Sequence, residues 1–157
     1  MGTRHLTIVK KDYETKVAQY GQWDGYPQGA GKTIINFLRN VDLGKFKEKV
    51  NACHFMPEQT IDKMNEKQWL ELCQNQPQFS RDTGANVLQM IAESDKQDFE
   101  LRDASVFGFN DLSCEWLYLI DLDHNKLYVR HNLVDPFCVE YELEYLPESL
   151  DGLDYAK

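Results

Sequence analysis

The sequence predicts an α+β fold: a mostly antiparallel sheet of about five strands, made of two hairpins and a C-terminal strand, with about four helices on one face. Three observations predict this class. β-rich segments flank turn residues near both ends of the chain, helical spacing of apolar residues fills the middle, and a two-residue alternation closes the last third. We expect one domain over residues 1–150 and an acidic flexible tail over residues 151–157.

The first hairpin is predicted from residues 3–9 and 16–23. Both segments are rich in β-branched and aromatic residues, and the polar residues 10–15 between them favour a turn. Asp24-Gly25 and Tyr26-Pro27 then end the second strand, because Gly permits a sharp bend and Pro restricts the residue before it.

Four helices are predicted next, from apolar residues at helical spacing and from capping signals. The first follows Gly31, the second covers residues 43–51, the third begins at Pro57 and continues to about residue 74, and the fourth is capped by residues 80–85 and carries Val87, Leu88 and Ile91. The charged residues 93–103 show no period and predict a loop.

The chain then returns to strands. Residues 114–121 and 126–131 flank a polar turn and predict a second hairpin. Over residues 137–145, apolar side chains alternate with Cys138, Glu140, Glu142 and Glu144, which predicts a strand with one buried and one acidic face. Pro147 ends this strand.

The charge is unevenly distributed along the chain. Residues 1–50 carry nine Lys and Arg against five Asp and Glu, while residues 51–157 carry eight against twenty-one, so the net charge of −9 comes from the second part. Phosphate contacts need a basic surface, which argues against direct nucleic-acid binding there. The acidic surface favours a basic protein partner.

We expect a cytoplasmic protein without membrane association, since no apolar run approaches the roughly 20 residues that span a bilayer. Cys53, Cys73, Cys114 and Cys138 form no CxxC pair, and the four histidines show no metal-binding spacing. We therefore predict neither a metal nor another cofactor.

Several short motifs imitate known sites. Residues 29–33 read GAGKT, but Tyr26 stands where a phosphate-binding loop needs glycine. Residues 121–125 begin like a calcium loop, but Lys126 occupies its glycine position. Thr3 would become a nucleophile only after removal of Met1 and Gly2, so a small hydrolase stays open.

Residues 20–31 combine three aromatic residues with four glycines, which is typical of a pocket wall or of a tightly built corner. For a pocket, the aromatic rings would stack on a planar ligand, the amides would read its polar edges, an arginine would hold an anionic group and the aspartate would orient a donor or act as a base. The candidate ligand-binding residues are Arg4, Gln19, Tyr20, Gln22, Trp23, Asp24, Tyr26 and Arg81. For a corner, Trp23 would fill the core while Asp24-Gly25 makes the turn.

Residues 3–7 (TRHLT) and 17–27 (VAQYGQWDGYP), with Gly29 and Gly31, resemble a family of small proteins of phages, bacteria and fungi. That family carries a TRxLT strand and a YxQWDGYPxGxG turn, and residues 81–85 and 115–123 also look like its segments. Together these segments span most of the chain. The phage-encoded relatives imply a counter-defence role.

We therefore predict an acidic, non-enzymatic interaction protein that binds a basic surface of a partner protein. Its candidate partner-binding residues are Glu140, Glu142, Glu144 and Glu148. The alternative is a protein that binds a small nucleotide-like ligand, or a small hydrolase, with its pocket at residues 20–31.

Overall fold

The computed structural model describes residues 2–109, 114–132 and 137–150, so the predicted tail over residues 151–157 lies outside the described residues. The strands are β1 (His5–Lys11), β2 (Glu14–Gly21), β3 (Cys53–Phe55), β4 (Phe99–Leu101), β5 (Trp116–Asp121), β6 (Lys126–His131) and β7 (Phe137–Glu142). The α-helices are α1 (Lys32–Asn40), α2 (Leu43–Asn51), α3 (Glu58–Asp62), α4 (Glu66–Asn75) and α5 (Val87–Glu93). A π-helical turn covers Pro27–Gly31, and 3₁₀ turns cover Pro77–Phe79, Gly84–Asn86, Ser105–Phe109 and Leu143–Tyr145.

The main sheet has five strands in the order β2-β1-β5-β6-β7, which confirms the predicted α+β class. Both hairpins are antiparallel, and β7 pairs antiparallel with β6. The two hairpins join through β1 and β5, which run parallel with His5 opposite Trp116. A parallel pair needs a long crossover, and the helices supply it.

One face of the sheet carries the core. Alternate residues along the strands, including Val9, Val17, Tyr118, Ile120 and Leu127, are fully buried against apolar residues of α1, α2 and α5. Ile34 and Ile35 of α1 and Phe46 and Val50 of α2 belong to the same cluster. The helices therefore cover one face of the sheet, as predicted.

Three predicted elements need correction. The third helix is two helices, α3 and α4, because Asn65 starts a new helix through a reciprocal capping box with Gln68. The predicted loop over residues 93–103 contains β4, which pairs parallel with β3. The last strand ends at Glu142, and the backbone N–H of Leu143 turns to donate to the Asn125 carbonyl at 2.9 Å. Across the described part of the chain, none of the helices combines the length and the apolar character that crossing a membrane requires.

Candidate functional site

The turn after β2 is a corner tied to β1. Asp24 adopts a positive φ of 55°, after which the chain enters the π-helical turn and α1. The backbone N–H of Gly25 donates to the Thr3 carbonyl at 2.8 Å, and that of Ala30 donates to the Asp24 carbonyl at 2.7 Å. The phenol of the buried Tyr118 also donates to the Gly25 carbonyl, at 2.7 Å. These bonds fix the turn against the end of the sheet.

Three glycines close around the side chain of His5, which is 2% exposed. A Cβ at Gly21 would lie 2.1 Å from His5 Cε1, a Cβ at Gly25 would lie 2.7 Å from His5 Cβ, and a Cβ at Gly84 would lie 2.8 Å from His5 Nε2. Gly84 also has a φ of +48°, in the region that favours glycine. Side chains larger than glycine at these three positions would therefore fill the space that the imidazole occupies.

His5 is buried as the neutral base. Burial lowers its pKa from 6.5 to about 4, against smaller opposing effects of the Thr3 carbonyl and of Asp24. Neither ring nitrogen has a hydrogen-bond partner with suitable distance and angle among the described residues, although the Thr3 carbonyl lies near enough to raise the pKa of the ring slightly. At neutral pH the ring therefore offers one N–H donor and one acceptor nitrogen, both unused.

His5 lines a cavity of about 320 Å³ whose walls come from three parts of the chain. They are the end of β2 with its turn, the beginning of α1, and residues 81–86. Gln28 Oε1 is a second buried polar atom in this lining without a hydrogen-bond partner among the described residues. Two cations, Lys32 and Arg81, balance Asp24 and Asp82. The cavity is polar without a strong net charge.

Trp23 also lines this cavity, with its side chain held in place while 47% of its surface stays exposed. Its Nε1 donates to Asp82 Oδ1 at 2.8 Å, and the ring lies so close to the backbone that a Cβ at Gly2 would be 2.4 Å from Cε3. Trp23 is therefore not a core residue, and the corner interpretation that made it one is wrong on this point. An exposed indole with a fixed orientation is suited to stacking.

The structure brings together four of the eight predicted ligand-binding residues: Gln22, Trp23, Asp24 and Arg81 all line the cavity. The exposed Tyr26 is not part of this lining, but its hydroxyl donates to Asp24 Oδ1 at 3.2 Å. It supports a wall residue from outside.

The remaining three predicted residues lie elsewhere. Gln19 is buried, and its Nε2 donates to the Gln78 carbonyl at 2.8 Å. Tyr20 packs edge-on against Phe107 and its hydroxyl donates to Gln22 Oε1. Arg4 does not line the cavity, although its backbone N–H donates to Glu115 Oε2 at 2.9 Å. Their roles in ligand binding stay predictions.

The predicted acidic surface is divided between β7 and the segment that follows it. Glu140 and Glu142 are exposed on β7 and share Lys126, with N–O distances of 3.4 and 3.7 Å. Their charge, chiefly that of Glu140 through its hydrogen bond, raises the pKa of Lys126. Glu144 and Glu148 are exposed beyond the end of the strand. The four carboxylates do not form one strand face.

Sequence reasoning missed His5, Gln28 and Gly84. His5 lies on the same buried face of β1 as Thr7 and Val9, where a ring with two polar atoms is unusual. That position was the available signal for His5. Nothing in the local sequence marks Gln28 or Gly84 as a neighbour of the ring.

The groups that face the cavity include the unpartnered polar atoms of His5 and Gln28 and the indole of Trp23. No group of three potential ligands from His, Cys, Asp and Glu is placed to hold a metal ion in the part of the chain that the structure describes. A histidine with a pKa of about 4 is also a weak general base at neutral pH. The fold and the cavity define an α+β domain with a polar pocket around a neutral histidine. Comparisons with protein-family models, curated proteins and solved structures find no match.

Proposed function

We propose that the protein binds a small, planar, polar ligand of nucleotide-like chemistry in the cavity at residues 20–31. The observation that carries the proposal is His5, buried and neutral with both ring nitrogens unpaired at the cavity. A buried polar group without a partner costs about 1–3 kcal/mol, and a ligand with matching groups offsets this cost.

The other walls fit the same ligand. Gln28 Oε1 offers a second unused acceptor to an N–H group of the ligand. The indole of Trp23, held by Asp82, offers a face to a planar ring. The volume of about 320 Å³ lies at the lower end of the range for small-molecule sites. Lys32 and Arg81 are the wall residues suited to an anionic substituent, in a lining that also contains Asp24 and Asp82.

A thermal-shift screen against the four common nucleosides and their 5′-monophosphates tests the proposal. A ligand at 100 times its Kd stabilises the folded state by about 2.7 kcal/mol, or roughly 5–11 °C for a chain of this size. Trp23→Ala should abolish the shift. Tyr13→Ala is the matched control, because Tyr13 is 82% exposed in the turn of the first hairpin and outside the cavity lining.

Two results would overturn the proposal. One is a melting temperature that no compound in the panel raises. The other is a shift that Trp23→Ala leaves intact, since binding would then occur away from the cavity.

The acidic interaction surface is the second candidate function. The side chains of Glu140 and Glu142 are 57% and 56% exposed, which favours contact with a basic partner, although Lys126 already offsets part of their charge. A pull-down with the protein and with Glu144→Lys and Glu148→Lys variants tests this role. Capture of a basic protein should weaken with salt and with charge reversal, and capture that ignores both would refute it.

A further inference from the structure

A second opening lies beside the cavity. It is a groove of about 1310 Å³ that runs over β2 and α4. Gln22, Arg81 and Asp82 line both the cavity and the groove. The two openings therefore meet at a ridge formed by these three residues.

The ridge carries one cation, Arg81, beside the carboxylate of Asp82. Arg81 is exposed, and its guanidinium makes no ion pair or hydrogen bond with any described residue. Arg4 lines neither opening, and its buried Nε has no hydrogen-bond partner among the described residues. Burial raises the pKa of Tyr20, while Arg4 and Arg81 both lower it, which places the two charges near the Tyr20 hydroxyl.

The guanidinium of Arg81 stands out because the chain has 26 acidic residues against 17 Lys and Arg. A guanidinium matches the oxygens of a phosphate with paired N–H groups. Arg81, which shares the ridge with Asp82, is therefore the group suited to an anion that lies between the two openings.

The groove offers a second aromatic platform. The ring of Trp69 on α4 lies against Phe79, with 6.1 Å between ring centroids. The guanidinium carbon of Arg102 stands 5.2 Å from the centroid of the Trp69 ring. Arg102 is also held by Glu58 at 3.3 Å, so its guanidinium covers one face of the Trp69 ring and is itself the planar group on that side. Aromatic rings and guanidinium planes are the groups on which nucleobases stack.

We propose that the ligand is of the dinucleotide class, with two planar bases joined by a phosphate. One base lies in the cavity against Trp23, the phosphate lies at Arg81 on the ridge, and the second base lies in the groove at Trp69. This inference rests on the proposed function and extends it, because a mononucleotide fills only the cavity.

Isothermal titration tests the inference with four probe pairs: AMP with pApA, GMP with pGpG, CMP with pCpC and UMP with pUpU. At least one dinucleotide should bind about fivefold or more tightly than its mononucleotide, since this factor is the lower limit for one stacked base. Trp69→Ala should remove this gain and leave the affinity for the mononucleotide unchanged. Trp69→Phe keeps an aromatic face and should restore most of the gain.

The second variant is Arg81→Gln. Inorganic phosphate is the probe that carries the anionic group without the two bases. The variant should weaken dinucleotide binding about tenfold, and phosphate alone should compete only weakly because it contacts neither stacking platform. Circular dichroism confirms that each variant is folded before titration.

The outcomes separate the two proposals. If a mononucleotide binds with dependence on Trp23 but its dinucleotide binds no better, the dinucleotide inference is wrong and the cavity site stands. If Trp69→Ala leaves a dinucleotide's advantage intact, the placement of the second base in the groove is wrong. If neither class of compound binds, both proposals fail.

Discussion

Gly21→Ala tests the packing around His5, on which the cavity depends. The new Cβ would lie 2.1 Å from His5 Cε1 and 2.4 Å from His5 Nε2, well inside contact distance. The ring is 2% exposed and cannot swing into solvent without opening the site. Overpacking of a core costs about 1–3 kcal/mol, and we expect about 2 kcal/mol here. For a chain of this size, that lowers the melting temperature by about 4–8 °C.

Calorimetry and urea unfolding measure this loss, and Gly44→Ala is the matched control. A Cβ at Gly44 meets only Asp42 Oδ1, at 3.5 Å, so the change within α2 should be neutral or stabilising by up to about 1 kcal/mol. A double-mutant cycle with His5→Ala should give a coupling energy of about 0.5–3 kcal/mol, because the smaller side chain relieves the clash. Gly21→Ala with wild-type stability would refute the reasoning.

Three further predictions concern stability. The folded pKa of His5 lies below its value of 6.5, so the contribution of the neutral ring is complete above pH 6.5 and is lost as the pH falls toward 4. We expect the free energy of unfolding in urea to fall by about 2 kcal/mol between pH 7 and pH 5. The control His124→Gln, which changes an exposed histidine, should show the same fall. A free energy of unfolding that does not change over this pH range would contradict the prediction. Tyr118→Phe removes the 2.7 Å bond to the Gly25 carbonyl and should cost about 1–2 kcal/mol in thermal unfolding, and an unchanged melting temperature would count against the bond. The carboxylate of Asp123 accepts hydrogen bonds from the backbone N–H groups of Asp12 and Tyr13 in the turn of the first hairpin, both at 2.8 Å. Asp123→Ala should therefore lower the free energy of unfolding in urea by about 1 kcal/mol, and an unchanged value would contradict a stabilising role of these bonds.

The sheet and most helices could be predicted because their signals are local. The polar turn before residues 126–131 marked β6, and both β6 and α2 have their predicted bounds. The break between α3 and α4 was missed because apolar spacing continues across it. Its real signal is the capping pair Asn65 and Gln68, which the apolar pattern hid.

The short strands β3 and β4 could not be predicted in the same way. Each has three residues, too few to show a period, and each is defined by its parallel pairing with the other. The parallel contact between β1 and β5 is also a property of the assembled sheet. Pairing between distant segments leaves no mark in a local pattern.

The candidate site was predicted only in part, because its residues also come from distant segments of the chain. Trp23, Asp24 and Gln22 were found because glycines and aromatic residues cluster in one stretch. His5 and Gly84 come from a strand and from a distant loop, and only folding places Gly84 Cα against the ring. The lowered pKa of His5 depends on that burial and cannot be read from its neighbours in sequence.

NMR of the imidazole nitrogens of His5 tests the central claim most directly. In the free protein at pH 7, both signals should be those of a neutral ring, and titration with nucleotides should shift them as a ligand takes up the unused donor and acceptor. The exposed His124 should not respond. Signals of His5 that stay unchanged with every nucleotide and dinucleotide would contradict a ligand site at this histidine.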